Sequence, residues 1–208
     1  MSYELDIVAG PSASEIDLQQ LEHALVQVLE VEAVAEAVLS ITLTDNKTIH
    51  QLNQHYLQHD FATDVISFPL DWRHPQREFP DNGPARRSEG ARIEGEIVAS
   101  VELARSMADR FGWSVQSELT LYVIHGMLHI CGYDDLDPAE RSTMRCRESA
   151  ILTGLGLRPA GERTPDGEGA EPERQGTSTP SRLPADSPDD LILRVQPQST
   201  RSRQEGPE

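Results

Sequence analysis

Apolar and polar residues alternate in several short segments of the chain, and this period of two predicts β-strands. The clearest case is residues 37–45, where Leu39, Ile41 and Leu43 fall on one face of an extended chain. In the predicted strand of residues 63–70, we expect Pro69 to end the strand, because proline cannot donate a backbone hydrogen bond to a sheet. The predicted strands are residues 3–9, 37–45, 63–70 and 95–101.

Apolar residues at helical spacing fill the segments between and after these strands. Ser14, followed by Asp17, resembles a capping box and predicts the start of the first helix. Asp45 predicts the start of the second helix, and a third is predicted to end at Gly112. The last two helices are predicted to follow Ser114 and to run from Asp137 to about Leu152.

The mixture of strands and helices predicts one α+β domain, with mixed α/β layers, over residues 1–157. We expect a mixed sheet of about four strands packed with about five helices. Residues 71–94 are polar, with prolines, glycines and arginines, and predict a long functional or mobile loop. Residues 158–208 have no aromatic residue and are rich in Pro, Gly, Ser, Glu and Arg, which predicts a disordered tail.

Charge and composition limit the partners that the chain can bind. The formal net charge is −17, and −14 of this belongs to residues 1–157. Affinity for nucleic acid comes largely from Lys and Arg, so a role with RNA needs a local basic patch or a bridging cation. The chain has two cysteines and no CxxC pair, so we expect no disulfide framework. Without a signal peptide at residues 1–10 or a long apolar stretch, we expect a cytoplasmic protein with no membrane partner.

The segment HGMLHICGYDD, residues 125–135, carries the candidate chemistry. His125 and His129 are four residues apart, so on a helix their imidazoles project side by side and can bind one metal ion. Gly132 follows, and glycine commonly ends a helix in a left-handed conformation. The chain can then turn back and bring Asp134 or Asp135 towards the histidines. Two imidazoles and one carboxylate make a three-ligand zinc set with a fourth position open to water, at the end of a helix.

A chance pair of histidines at the end of a buried helix is the alternative interpretation of this segment. In metalloproteases of the HExxH kind, a glutamate that activates water follows the first histidine, whereas here that position is Gly126. Glycine costs about 1 kcal/mol relative to alanine inside a helix, and it is tolerated where another element approaches the backbone closely. A metal site here therefore lacks the water-activating base in its usual protease position.

Three segments together resemble one known family. HGMLHICGYDD is similar to the pattern H-G-x-L-H-x-x-G-Y-D-H of the YbeY family, the metal-dependent endoribonucleases of ribosomal RNA maturation. LNQHYLQHDFATDVISFPL (52–70) is similar to the family's LNxxYRxxDxPTDVLSFP segment, and GEIVASVELARSMA (95–108) to its GDIxISxExAxxQA segment. Order and spacing agree from about residue 39 to residue 152, which makes the resemblance far more specific than the histidine pair alone.

This resemblance implies a single-strand-specific, metal-dependent endoribonuclease that acts in ribosomal RNA maturation and ribosome quality control. The implied partners are ribosomal RNA and the ribosome or ribosomal proteins, with no DNA expected, and the implied cofactor is one Zn²⁺ per chain. The family's third metal-binding histidine falls on Asp135, so the implied ligands are His125, His129 and Asp135. Where the family carries an arginine, this chain has Leu57, which can neither bind phosphate nor stabilise a developing oxyanion.

Other residues are candidates for substrate binding and proton transfer. Asp64 and Ser67 lie on or beside the third predicted strand, where they can bind substrate or form hydrogen bonds at the ends of the strand. Asp134, next to the implied ligand, is the candidate catalytic residue, either orienting an imidazole or accepting a proton. The polar loop holds three arginines that can either replace the missing family arginine or remain solvated: Arg86, Arg87 and Arg92.

Two other functions compete with the endoribonuclease. One is a ribosome-assembly binding protein with weakened nuclease chemistry, which Leu57 and the negative net charge favour. The other is a zinc hydrolase of another substrate, because two histidines and one carboxylate also form zinc sites in proteases. RNA cleavage measured against added zinc distinguishes the first alternative, and a panel of peptide substrates distinguishes the second.

Overall fold

A computed structural model describes residues 1–73 and 86–157, together with the backbone of one short strand, Leu193–Arg194. The strands are β1 Ser2–Ala9, β2 Glu36–Thr44, β3 Val65–Arg73, β4 Arg92–Ser100 and the short β5 Leu193–Arg194. They form one sheet in the order β1-β2-β4-β3-β5. β1, β2 and β4 run parallel, whereas β3 is antiparallel to β4, so the sheet is mixed. β5 pairs in parallel with two residues of β3.

Five α-helices accompany the sheet within the described residues. They are α1 Leu18–Val31, α2 Asn46–Leu52, α3 Val101–Phe111, α4 Val115–Ile130 and α5 Pro138–Gly154, and a π-helical turn, Asn53–Leu57, continues α2. The central helix is α4, which contacts α1, α3 and α5 as well as β3 and β4. The predicted α+β class, with a mixed sheet and five helices, is confirmed.

The two faces of the sheet carry separate apolar clusters, because successive residues of a strand point to opposite sides. On β3, Val65 belongs to the main core, which includes buried residues of α1, α4 and α5. The next residue, Ile66, belongs to a small cluster with Ile49 and Val98. Leu57 packs half-buried against this small cluster, so it has a packing role at the position where the family resemblance places an arginine.

Side-chain caps fix the first turns of the helices, mostly as predicted. Asp45, Ser114 and Asp137 each accept a hydrogen bond from a backbone N–H in the first turn of α2, α4 and α5. The prediction for the first helix is wrong, because Asp17 rather than Ser14 accepts the N–H groups of the first turn of α1. Ser14 instead follows a short 3₁₀ turn.

The prediction that Pro69 ends its strand is also wrong. β3 continues to Arg73, and its register with β4 shifts between Pro69 and Asp71, which is a β-bulge. Pro69 stays in register opposite Gly95, and the next residue, Leu70, is left out of the pairing, so the strand continues past the proline through a bulge. The loop predicted for residues 71–94 is correspondingly shorter, because β4 already begins at Arg92.

The predicted disordered tail, residues 158–208, lies outside the described residues, apart from the backbone of β5. Within the described ranges, no helix has both the length and the apolarity needed to cross a lipid bilayer. Both cysteines are free thiols, Cys131 buried and Cys146 exposed.

Candidate metal centre

The candidate site is built on the C-terminal half of α4. This helix is apolar and almost entirely buried, because it lies between the sheet and three other helices. His125 and His129 are 7% and 1% exposed, so both imidazoles lie within the protein. Their Nε2 atoms are 3.0 Å apart, so the two rings lie side by side on α4.

Gly126 allows α4 to lie close against the sheet. A Cβ atom at this position would lie 3.0 Å from Val65 Cγ2 and 3.2 Å from Ile97 Cγ2. Both neighbours are fully or almost fully buried β-branched residues on strands, so they have little room to move. The close approach explains the helical glycine and brings His125 near Asp64, the residue that precedes Val65.

The turn after α4 brings the third candidate ligand to the histidines. Gly132 has a φ of 93°, the left-handed conformation predicted for it. Asp135 then lies with Oδ2 at 3.8 Å from His125 Nε2 and Oδ1 at 3.9 Å from His129 Nε2. Among the described residues, these three side chains form the group that can hold a metal ion, so the geometry favours Asp135 over Asp134 as the third ligand.

Hydrogen bonds on the far side of each imidazole fix its tautomer. His125 Nδ1 lies 2.9 Å from Glu148 Oε2, and His129 Nδ1 lies 3.1 Å from the backbone carbonyl oxygen of Tyr133. An ionised carboxylate and a carbonyl only accept hydrogen bonds, so we assign the proton of each ring to Nδ1. Both Nε2 atoms then present lone pairs to the same space, as metal-binding histidines do.

The arrangement of these donors fits a zinc ion. Two nitrogen lone pairs 3.0 Å apart repel each other unless a proton or a cation lies between them. Ligand atoms about 2.1 Å from a tetrahedral zinc lie about 3.4 Å from one another. The three separations among His125, His129 and Asp135, from 3.0 to 3.9 Å, are close to this value. These three side chains would hold the ion and would leave a fourth position for water or substrate.

Carboxylates surround His125 and make the site negative. Burial lowers the pKa of His125, but the hydrogen bond and charge of Glu148, together with Asp64 and Asp135, raise it by more. Burial raises the pKa of Asp64 to about 6, although the charge of His125 opposes this shift. Burial also raises the pKa of Asp135. A bound cation stabilises the charged forms of such carboxylates, so the electrostatics favour metal binding.

Asp134, the candidate catalytic residue, forms hydrogen bonds within its own turn. Asp134 Oδ1 accepts hydrogen bonds from the N–H groups of Asp135 and Leu136, at 2.8 and 3.2 Å. Glu148 and the carbonyl oxygen of Tyr133, rather than Asp134, accept the hydrogen bonds that orient the imidazoles. The role of Asp134 as a proton acceptor stays a prediction.

The two candidate substrate-binding residues are buried. Asp64 Oδ1 accepts hydrogen bonds from Thr63 Oγ1 and from the N–H of Val65, which is the structural alternative considered for it. Ser67 is 1% exposed, and its hydroxyl has no hydrogen-bond partner among the described residues. Substrate binding by Asp64 and Ser67 stays a prediction to which this geometry adds no support.

The turn after α4 is held in place from two sides. Arg87 donates a hydrogen bond to the carbonyl oxygen of Gly132 at 3.0 Å and pairs with a carboxylate of α5. Tyr133 donates its hydroxyl proton to Glu32 at 3.0 Å, and Glu32, which is fully buried, also pairs with Arg147. Arg87 therefore has a structural role in the described residues, rather than contacting the metal-ligand atoms.

A cleft opens beside His125 and Asp135, between α4 and α5. Its lining combines apolar, acidic and basic side chains: Leu121, Tyr122, His125, Asp135, Arg141, Met144, Arg145 and Glu148. Sequence reasoning missed the contribution of α5 to this site. Residues 141, 145 and 148 recur at helical spacing, but nothing local in the sequence indicates that this face of α5 lies against the histidines.

Comparison with known proteins agrees with the geometry. The sequence profile described as Endoribonuclease YbeY matches residues 9–156, a range that contains all three candidate ligands. The chain belongs to the YbeY endoribonuclease family. The YbeY match begins at the last residue of β1 and ends just after α5, so it covers nearly the whole of the described fold.

Several YbeY proteins are similar to this chain over most of their own length. The protein named Endoribonuclease YbeY of Salinibacter ruber is 38% identical over 151 residues, which cover 73% of this chain and 91% of that relative. The protein of the same name from Roseiflexus castenholzii is 37% identical over 156 residues, which cover 74% of this chain and 93% of that relative. A solution structure of a Thermotoga maritima protein is also similar, with 21% identity, a TM-score of 0.44 and coverage of 76% of this chain and 99% of that one.

Proposed function

We propose that this chain is a single-strand-specific, metal-dependent endoribonuclease that acts in ribosomal RNA maturation and ribosome quality control in the cytoplasm. The observation that carries the proposal is a pair of buried imidazoles whose Nε2 atoms face each other and Asp135, in a member of an endoribonuclease family. We propose one Zn²⁺ per chain, because zinc favours imidazole and carboxylate ligands in this combination. The proposed partners are ribosomal RNA and the ribosome or ribosomal proteins.

Each side chain of the site has a distinct role in the proposed activity. His125, His129 and Asp135 would hold the metal, while Glu148 and the Tyr133 carbonyl keep the imidazoles in the ligating orientation. A bound zinc supplies Lewis acidity towards a phosphate oxygen or a water molecule. We propose Asp134 as the proton acceptor. Backbone N–H groups fix its Oδ1, which leaves Oδ2 as the oxygen for this role.

A substrate panel tests the proposal. The full chain, reconstituted with zinc, is incubated with single-stranded RNA, double-stranded RNA, single-stranded DNA and a set of peptides. We expect internal cleavage of single-stranded RNA alone, and loss of this cleavage in His129→Ala, which removes one metal ligand. Cleavage of peptides, or undiminished RNA cleavage by His129→Ala, would contradict the proposal.

RNA binding in ribosome assembly, with weakened nuclease chemistry, is the second candidate function. It is favoured by Leu57, whose side chain packs against a small apolar cluster and supplies no positive charge for a phosphate. This function predicts that the chain binds single-stranded RNA and leaves it intact at every zinc concentration. The endoribonuclease instead predicts cleavage that increases with zinc.

A zinc protease of the HExxH kind is disfavoured by the packing at Gly126. The water-activating glutamate of such proteases would occupy this position. Because a Cβ atom there would lie 3.0 Å from Val65 Cγ2, the sheet leaves no room for a glutamate side chain. The peptides in the substrate panel test this exclusion directly.

A further inference from the structure

The protein is strongly negative, so RNA binding at this site needs positively charged side chains nearby. Residues 1–157 carry a net charge of −14, and Asp64, Asp135 and Glu148 all lie close to His125. Phosphates of an RNA strand would be repelled by these carboxylates, even with one divalent cation bound. An endoribonuclease active site here therefore requires positive side chains close to the metal.

Two arginines of α5 meet this requirement. Arg141 and Arg145 are four residues apart, so they project from the same face of the helix. Both line the cleft that contains His125 and Asp135. Arg141 Nε donates a hydrogen bond to the backbone carbonyl oxygen of Asp135 at 2.8 Å, which fixes this guanidinium to the turn that carries a candidate ligand. That bond uses one of five N–H donors of the guanidinium.

Three other arginines of the described residues do not line this cleft. Arg87 holds the carbonyl of Gly132, Arg147 pairs with the buried Glu32, and Arg92 pairs with a carboxylate of β2. Among the described residues that line the cleft, the positive side chains are those of Arg141 and Arg145 on α5.

We propose that Arg145 and Arg141 bind backbone phosphates of the RNA strand on the α5 side of the metal centre. A guanidinium can give two parallel N–H donors to one phosphate, which suits it to hold a strand in register beside the metal. Apolar side chains of α4 and α5 also line the cleft, so they would partly shield the contact between arginine and phosphate from water. This inference rests on the proposed function, since it assigns the contacts that hold its substrate.

The test measures RNA binding separately from RNA cleavage. Fluorescein-labelled single-stranded RNA with 2′-O-methyl riboses is titrated with the zinc-loaded full chain, its integrity is checked on a gel, and its anisotropy is followed at several salt concentrations. We expect Arg145→Ala to weaken binding by about tenfold. We also expect it to reduce the slope of log affinity against log salt by about 0.7, the contribution of one phosphate contact on a single strand. Arg145→Lys should keep the slope, because it keeps the charge.

Arg110→Ala is the matched control. Arg110 is an exposed arginine at the end of α3, next to the start of α4 and far from the C-terminal half that carries the histidines. Its removal changes the net charge by the same amount as Arg145→Ala, so it should leave both affinity and salt slope unchanged. Arg141→Ala should resemble Arg145→Ala in the binding assay, and its zinc content is measured because Arg141 also holds the turn at Asp135.

The outcomes separate this inference from the proposed function. If the wild-type chain cleaves RNA while Arg145→Ala and Arg141→Ala bind RNA with wild-type affinity and salt slope, the inference is overturned and the proposed function stands. If the wild-type chain binds RNA without cleaving it at any zinc concentration, and the variants lose binding, the inference stands and the endoribonuclease proposal fails. Equal losses in Arg110→Ala and Arg145→Ala would also overturn the inference, because net charge alone would then explain them.

Discussion

Replacing Glu148 with alanine removes the carboxylate that accepts the Nδ1 proton of His125. This contact, at 2.9 Å, is the hydrogen bond that fixes the tautomer of His125 in the site. Without it, the ring can rotate or carry its proton on Nε2, and neither state presents the lone pair that a metal needs. We expect Glu148→Ala to fold normally and to bind zinc more weakly than the wild-type chain.

The size of the loss follows from this single contact. The Glu148 side chain is 19% exposed, so its hydrogen bond to the imidazole is only slightly screened by water. A hydrogen bond to a charged group contributes about 1.5–3 kcal/mol, which corresponds to about a 10- to 100-fold loss of zinc affinity. Glu148→Gln keeps an acceptor oxygen and loses only the charge. Because a charge-assisted bond is about twice as strong as a neutral one, Glu148→Gln should lose about half as much free energy.

The assay is competition for zinc against a chromophoric chelator, in alkaline buffer where protons compete least for the imidazoles. Glu22→Ala is the control, because Glu22 is an exposed glutamate on α1 and its removal changes the net charge equally. The order of affinity should be wild type and Glu22→Ala, then Glu148→Gln, then Glu148→Ala. Wild-type affinity in Glu148→Ala, with an intact fold by circular dichroism, would refute the claim that this carboxylate orients His125.

Three further predictions test the ligand set, the helix packing and the thiols. Asp135→Ala should lose much of the zinc affinity in the same competition assay, whereas Asp134→Ala should lose far less. A larger loss in Asp134→Ala would show that Asp134 is the ligand. Gly126→Ala should lower the free energy of unfolding in urea by about 1–2 kcal/mol, because the cost of overpacking against the sheet exceeds the gain in helix propensity. Gly154→Ala is the control and should not destabilise the fold, because nothing lies within 4 Å of its added Cβ. Iodoacetamide should label Cys146 alone in the native chain, because Cys131 is buried and its pKa is raised to about 12; rapid labelling of both by mass spectrometry would contradict this burial.

Local chemistry made much of the fold predictable, and distant contacts explain the two errors. Asp45 and Ser114 cap helices through hydrogen bonds within the first turn, so a few neighbouring residues decide the boundary. The start of α1 depends on more than neighbours, since the N–H of Asp17 donates to a glutamine of α4. Pro69 lies opposite Gly95 of β4, and the bulge beside it forms between two distant strands, so proline content alone could not place the end of β3.

The candidate site was predictable only where its residues are close in the chain. The helical spacing of His125 and His129 and the left-handed Gly132 follow from local geometry, which brings either of the two following aspartates near the imidazoles. The choice of Asp135 came from the family resemblance, and the structure places its carboxylate beside both rings. Glu148 lies 23 residues beyond His125, and its position depends on how α5 packs against α4. A sequence pattern could not indicate this contact, because it arises only after the two helices have packed.

Stoichiometric zinc titration of the metal-depleted chain, followed by the rate of single-stranded RNA cleavage, tests the central claim most directly. The account predicts no cleavage without metal, a rate that rises to a plateau at about one zinc per chain, and the same plateau only at higher free zinc for Asp135→Ala. Cleavage by the metal-depleted chain at the full rate, or full cleavage by His129→Ala, would contradict a zinc-dependent endoribonuclease at this site.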